Sequence, residues 1–349
     1  VVNDYAPGGG VSVRVRGFST IRNNDPLYII DGVPTTTGMN MINPNDIESI
    51  QVLKDASSAS IYGSRAANGV VIITTKKGRS DQPSLSFDAY AGVQNVFNLP
   101  DMLNAQQYGD LLWQAIRNDG GTPANDVYGS GSSPVIPTYL DAEQIVPSAN
   151  VDWPEQLFEA APIQSYNLTF SKGGENSQQV FALGYFNQQG IMKYTGFERI
   201  SARLNSDFTL FDRLTIGENL TASYSWNNSV TNNSSLGGAL YNSYKFPSIS
   251  PVRDNMGDFA GSPLNDISNP LGGLYRNKDN TRKNLKIFGN IFADLKIVEG
   301  LKFRTNLGID YNSGNFRQFS PSFSERAGLA AVRLESELST QNKYDYSWV

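Results

Sequence analysis

The chain offers little material for catalysis. Among 349 residues there is no Cys and no His, which excludes thiol chemistry, disulfides, a Ser-His-Asp relay and any metal site built on Cys or His. Carboxylates are plentiful, yet a glycosidase-type pair needs two acids facing one cleft, and no Asp or Glu stands in a context that singles it out. The run Gly8-Gly9-Gly10 could cradle a phosphate, but it leads into Val11 with neither a helix N-terminus nor a Lys behind it. No catalytic residue, cofactor or metal is expected, and the chain reads as a non-enzyme. A net charge of -5 without a Lys/Arg cluster also argues against nucleic acid as a partner.

The chemistry left is recognition. Arg14, Arg16, Lys54, Asp55 and Arg65 are candidates for charged contacts between one part of the chain and another, or else solvated surface charges. Asp31-Gly32 has the composition of a turn, and Gly17, Gly63 (after Tyr62) and Gly69 meet backbone constraints. Tyr139, Trp153, Tyr241, Tyr244, Phe246 and Tyr275 could stack on sugars or hold peptides, and equally could pack loops.

Two textures of chain must position these residues. Residues 1–80 read as a compact α/β unit. Val11, Val13 and Val15 alternate with Ser12, Arg14 and Arg16 and predict a short strand ended by Gly17. Leu27 to Ile30 predicts a second strand, stopped by Asp31-Gly32-Val33-Pro34. Asn45-Asp46 is suited to cap a short helix, and Ile50, Val52 and Leu53 form an apolar run. Ala56 to Tyr62 is helix-tolerant, and Val70 to Thr75 predicts a strand buried on both faces. From residue 84 the pattern becomes dyad alternation, as in Leu85, Phe87, Ala89, Ala91 and Val93, and again in Leu301, Phe303, Thr305, Leu307 and Ile309. Spans of 10 or more alternating residues suit transmembrane β-strands of about 9–11 residues better than soluble strands of about 5–6.

The connections alternate in size. Long excursions at about 95–162, 228–282 and 312–339 interleave with tight turns at Gly173-Gly174-Glu175-Asn176-Ser177, Phe211-Asp212-Arg213 and Val298-Glu299-Gly300, with a medium loop near 188–196. Short periplasmic turns and long extracellular loops give this rhythm. Segment 102–118 has helical spacing in Leu103, Leu111, Leu112 and Ile116. Glu218 breaks the scheme, falling among Leu214, Ile216, Leu220, Ala222 and Tyr224 on the face expected to meet lipid; a bulge or an interfacial position would explain it. No apolar run approaches the roughly 18 residues of a membrane-spanning helix, and Val1-Val2-Asn3-Asp4 has no signal-peptide character.

Several of these stretches resemble the SusC/RagA-like branch of TonB-dependent receptors: Val13-Arg14-Val15-Arg16-Gly17, Pro26 to Pro34, and above all LKDASSASIYGSRAANGVVIITTKKG within Asp46 to Gly78. Asp152-Trp153 through Gln164, Pro251 to Gly257 and Asn269-Pro270-Leu271 are similar to later segments of that family. The resemblance implies a mainly β protein of two parts, a plug over residues 1–80 and the N-terminal portion of an antiparallel transmembrane β-barrel over 81–349. About eight of the family's twenty-two strands would be present, with edges near 84–94 and 340–349. It implies residence in the outer membrane of a Gram-negative bacterium, with lipid around the barrel, and TonB-driven import of an oligosaccharide or peptide. A SusD-like surface lipoprotein would be the partner, and a dimer of such pairs stays open. The TonB complex would act through a segment that the resemblance places before Val1. A stand-alone siderophore or cobalamin receptor, and from another class a surface adhesin, are the alternatives.

Overall fold

The computed structural model describes all residues except 1, 4–5, 16–23, 36–41, 56–59, 79–80, 229–237, 329, 332–334 and 349. Of the sequence-predicted site residues, Arg16 and Gly17 fall outside the described set.

The first unit is a four-stranded sheet. It comprises β1 (Leu27–Ile30), β2 (Val33–Thr35), β3 (Ile47–Leu53) and β4 (Val70–Thr75) in the order β2-β1-β4-β3. β4 lies inside the sheet, parallel to β1 and antiparallel to β3, which is why Val70 to Thr75 is apolar on both faces. Tyr28, Ile30, Val33, Val71 and Ile73 form one buried cluster; Leu27, Ile29, Ala66 and Val70 form another on the opposite face. The strand expected from Val11 to Val15 is shorter than the alternation suggested. Only Val11–Ser12 pairs, with Val2–Asn3, while Val13 and Val15 pack against the Tyr28 cluster. The cap of the turn Pro44–Asp46 is Asn43, not Asn45: its side chain accepts from the Asn45 amide, and Pro44 supplies the fixed φ of a first helical residue. Asp46 is thereby left to face elsewhere.

The second unit is an eight-stranded antiparallel meander: β5 (Ser84–Gln94), β6 (Ala161–Gly173), β7 (Ser177–Gln189), β8 (Gly196–Leu210), β9 (Leu214–Asn228), β10 (Thr281–Val298), β11 (Leu301–Ser320) and β12 (Glu335–Trp348). Each strand pairs with its sequence neighbour. The three-residue connection Phe211-Asp212-Arg213 has φ of 54° and 55° at its first two residues and is closed by the Arg213 amide donating to the Leu210 carbonyl at 3.2 Å, the positive-φ pair whose twist matches that of the flanking strands. The last connection is shorter than the alternation implied, because β11 continues to Ser320 and β12 begins at Glu335. The polar residues Asn312 to Gln318 stay extended because backbone pairing to β10 and β12, rather than apolar burial, holds them.

One face of this sheet is apolar and exposed, with Leu168, Phe181, Leu204, Phe208, Ile291 and Leu307 on it. Tyr rings cluster towards the long-loop end of that face: Tyr166 stacks on Tyr185 at 6.2 Å and Tyr311 on Tyr344 at 4.8 Å. Glu218 remains on it. The β8–β9 register runs unbroken from Gly196↔Asn228 to Leu210↔Leu214, so no bulge turns it away, and its carboxylate instead accepts a hydrogen bond from Ser206 on the neighbouring strand.

The long connections fold into a cap. Helix α1 (Ala105–Asn118) opens with a capping box between Asn104 and Gln107. Its buried stripe is Ala105, Gly109 and Trp113, while Leu103 and Leu111, expected on the packed side, are exposed. Short helices α2 (Trp153–Gln156), α3 (Ala239–Lys245) and α4 (Pro270–Arg276) enclose Trp153, Leu157, Phe246, Leu271 and Leu274.

Candidate functional site: the seat of the small sheet on the wall

The other face of the meander is mainly polar, with Phe288 and Phe292 of β10 buried on it as well, and the small sheet rests on it. At one level, asparagines stand on four adjacent strands: Asn205 on β8 faces Asn219 on β9, which faces Asn290 on β10, which is joined to Asn306 on β11. Asn219 Nδ2 donates to Asn290 Oδ1 at 2.9 Å, and Asn290 Nδ2 donates to Asn306 Oδ1 at 2.6 Å. These residues are 3–8% exposed, a depth at which an unpaired amide would cost about 1–3 kcal/mol. Asn219, Asn290 and Asn306 are thus bonded along the row, while the Asn205 amide is engaged by Thr75 of the small sheet.

The small sheet meets both ends of this row. At the β10–β11 end, the Asp31 carbonyl accepts from Asn290 Nδ2 at 3.4 Å, and a Cβ on Gly32 would stand 3.4 Å from the Asn306 amide. Val33 fills the space left by Gly308, where a Cβ would lie 2.9 Å from Val33 Cγ1. Lys286 and Asp310 form a buried ion pair within the wall, and the Thr35 hydroxyl donates to Asp310 Oδ2 at 2.6 Å. At the β8 end the contacts are charged across the interface. The Arg203 guanidinium, 2% exposed, reaches Asp46 Oδ1 at 3.1 Å and the Lys76 carbonyl at 3.1 Å, and its Nε finds no partner among the described residues. The Asn205 amide and the Thr75 hydroxyl lie 2.7 Å apart, Lys77 pairs with Asp207 at 3.3 Å, and Asn43 bonds to Asn167 on β6.

The structure places the sequence candidates unevenly against this seat. Asp31 and Gly32 lie in it. The Asp31 carboxylate accepts from the Thr75 amide at 2.9 Å and hydroxyl at 2.7 Å, so the side chain fixes the turn while the backbone touches the wall. Arg14, Lys54, Asp55 and Arg65 are exposed. Tyr62 packs on the Leu27 cluster. Gly63 and Gly69 hold φ of 64° and 95°, which an L side chain rarely adopts. The seat itself, made by Thr35, Asn43, Asp46, Thr75 and Lys77 with Arg203, Asn205 and Asp310, was missed. The signal that could have found it lies in the wall, where Asn recurs in phase on the polar side of four strands.

On the cap, Trp153 and Phe246 are buried against each other at 4.6 Å, with Trp153 Nε1 donating to the Pro247 carbonyl at 3.0 Å; they are packing residues. Tyr139 bridges to Pro147. Tyr241, Tyr244 and Tyr275 are exposed, and Tyr275 belongs to a cluster with Tyr194, Phe259, Arg253 and Lys278. The segment joining β11 to β12 docks on the cap through two buried acids. Glu325 accepts from the Asn269 amide and from Arg276, both at 2.8 Å; Arg326 reaches Asp254 at 2.8 Å. Burial pushes the Glu325 carboxyl up despite those partners. Burial acts on Asp254 in the same sense but is outweighed by Arg326 and by amides of Asp258 and Met256, which hold that carboxyl below its ordinary value. Tyr128, enclosed beside α1, is raised by burial to about 12.

Comparison with known proteins bears on both units. Residues 1–70 match the TonB-dependent Receptor Plug Domain family. A TonB-dependent receptor of Formosa agariphila is 32% identical, over 99% of this chain and 31% of its own length. The TonB-dependent receptor SusC of Bacteroides thetaiotaomicron is 30% identical, over 90% of this chain and 32% of its own length. The chain thus spans about a third of the length of the curated relatives it matches. Among solved structures, the RagAB peptide transporter superposes with a TM-score of 0.69 at 25% identity, over 91% of this chain and 37% of that one.

Proposed function

We propose, from the premise that the chain is a SusC/RagA-like plug and part of a TonB-dependent receptor barrel, that the parent protein actively imports an oligomeric nutrient, a glycan or a peptide, across an outer membrane. In this reading residues 1–80 are the plug, and residues 81–349 are the N-terminal portion of the barrel, with the cap on the extracellular side. A SusD-like lipoprotein is the surface partner, as the likeness to SusC and to the RagAB peptide transporter suggests. The TonB complex supplies the energy.

The observation that carries this reading is the polar seat. A plug that must leave and return cannot be joined to its wall by a dry apolar core, whose rupture would cost the whole packing energy at once. Hydrogen bonds and ion pairs at a wettable interface are exchanged for water one by one. The seat is mainly of that kind, with Phe288 of β10 its apolar contact, and the wall amides Asn219, Asn290 and Asn306 are bonded to each other rather than held by the plug alone.

The test is purification of the parent protein from native outer membranes in mild detergent, with the companions identified by mass spectrometry. A stoichiometric surface lipoprotein supports the lidded importer, and uptake of labelled oligopeptides and oligosaccharides then identifies the cargo. A solitary barrel, under conditions that preserve such pairs, favours the siderophore-type receptor instead. The likeness to the rhizobactin receptor extends over only 34% of this chain.

A further inference from the structure

Towards the cap, the apolar face of the wall ends in a pattern of charge that packing does not explain. The register places Trp226, Lys283 and Asn315 side by side in one row, and Thr281, Arg317 and Leu338 in the next, further from the hairpin turns. Strand alternation puts these residues on the side that carries Ile291 and Leu307, and Lys283 and Arg317 are both exposed. Of the described outward-facing residues of β10 to β12, these two alone carry charge, and both are cations. At the opposite end of the same face, Leu295, Ile297, Leu301 and Phe303 are exposed and neutral. The charge belongs to one side of the bilayer.

On the polar face of the same strands, bases near this level are matched within the wall: Lys286 pairs with Asp310, Lys343 pairs with Asp345, and Arg282 lies over the Phe316 ring at 5.3 Å. No acid pairs with Lys283 or Arg317 among the described residues, Asp279 at the start of β10 included. The two bases are diagonal neighbours across the β10–β11 ladder, a spacing of about 7–8 Å from which long side chains reach a common group. The Thr281 hydroxyl stands directly opposite Arg317. Two cations so placed repel each other, and an anion seated between them reverses the sign of that interaction. They also stand at the aromatic girdle and beyond it. Trp226, beside Lys283, packs on Tyr224 at 5.8 Å, and Tyr311 stacks on Tyr344 lower on β11 and β12. Rings of this kind mark the headgroup level, so a base beside or above them meets headgroup rather than acyl chain.

We propose that Lys283, Arg317 and Thr281 form a docking site for the phosphate of a lipid headgroup in the leaflet on the cap side. The guanidinium offers two parallel donors to phosphate oxygens, and the ammonium adds a point charge. The lipid's acyl chains lie along the apolar face below, so the one molecule meets both surfaces. Its bound headgroup braces β10 and β11 where they rise past the girdle towards the cap. The proposal rests on the reading of the cap as extracellular and adds a lipid partner to it.

The test uses the full-length protein in mild detergent, with doubly phosphorylated lipid A and its dephosphorylated form as probes, and retained lipid is counted by native mass spectrometry. The phosphorylated form should be retained about tenfold more strongly than the other, and joint Lys283→Gln and Arg317→Gln should remove that preference, two bases near a lipid surface contributing on this scale. Lys283→Arg should keep it, and an unchanged unfolding midpoint of the double variant in detergent excludes misfolding as the cause. Joint Lys296→Gln and Lys302→Gln, which takes equal charge from the polar face at the turn end, should leave retention as it was. Inorganic phosphate at millimolar concentration should not displace the lipid, because it lacks the acyl chains. Equal retention of the two lipids, a preference that survives loss of both bases, or displacement by inorganic phosphate overturns the site. None of those outcomes touches the import reading, which is judged by uptake and copurification. Loss of retention in the Lys296 and Lys302 variant instead would overturn the site together with the orientation that puts the cap outside.

Discussion

Replacing Arg203 by Gln removes the cation that holds Asp46 and the Lys76 carbonyl. Because both charges are buried, stranding Asp46 should weaken plug docking by about 3–5 kcal/mol. The expected outcome is faster entry of a large hydrophilic antibiotic into cells carrying the full-length variant, with the barrel still assembled. Glu218 invites the opposite change. It sits on the apolar face with the Ser206 hydroxyl donating to it, so Glu218→Leu should raise the unfolding free energy in lipid vesicles by up to roughly 2 kcal/mol, read as a higher denaturant midpoint. These two residues show what is legible at this scale. Glu218 was visible because it broke an apolar face. Arg203 was invisible because a lumenal face is expected to be polar, and nothing in a dyad pattern tells a buried cation from a solvated one. Asp31-Gly32 was legible as a turn, since its side-chain and φ requirements are local.

Elements were read more reliably where hydrophobic periodicity sets them. The strand from Val70 to Thr75 and the alternation of the wall strands follow directly from which faces are buried. Where pairing or capping decides, the signals are weaker: β11 runs on through polar residues because its neighbours do, and Trp113 rather than Leu111 turns inward because α1 buries the face carrying Ala105 and Gly109. The docking of the β11–β12 connection on the cap should depend on pH in two opposed ways. The folded Asp254 carboxyl is depressed, so its contribution is present above the unfolded value and is lost as pH falls through the lower folded one. That of Glu325 is raised, so its contribution is complete below the unfolded value and is lost as pH rises through the higher folded one. Asp254→Asn should therefore remove the acid-side loss, read as a Trp153 emission maximum that no longer shifts as pH is lowered through the carboxylate range.

For the whole molecule, orientation in the bilayer is the property to measure, and the four Trp residues sample it. Trp113 and Trp153 are each 1% exposed inside the cap, whereas Trp348 is 80% exposed on the apolar face of β12 and Trp226 packs beside Tyr224 on that of β9. In vesicles with brominated acyl chains, Trp226→Phe and Trp348→Phe should each reduce the quenchable fraction of the full-length protein, while Trp113→Phe and Trp153→Phe should not. Equal loss from all four would place the cap in lipid and overturn the assignment of faces. The asparagine row bears on timing. Since Asn219, Asn290 and Asn306 are bonded to one another within the wall, that part of an emptied wall keeps its pairing, while Arg203 and Asn205 are released to water. The duration of a transport cycle would then be set by how quickly the displaced plug regains its own sheet, and stabilising β1 to β4 should shorten the refractory interval between successive solutes.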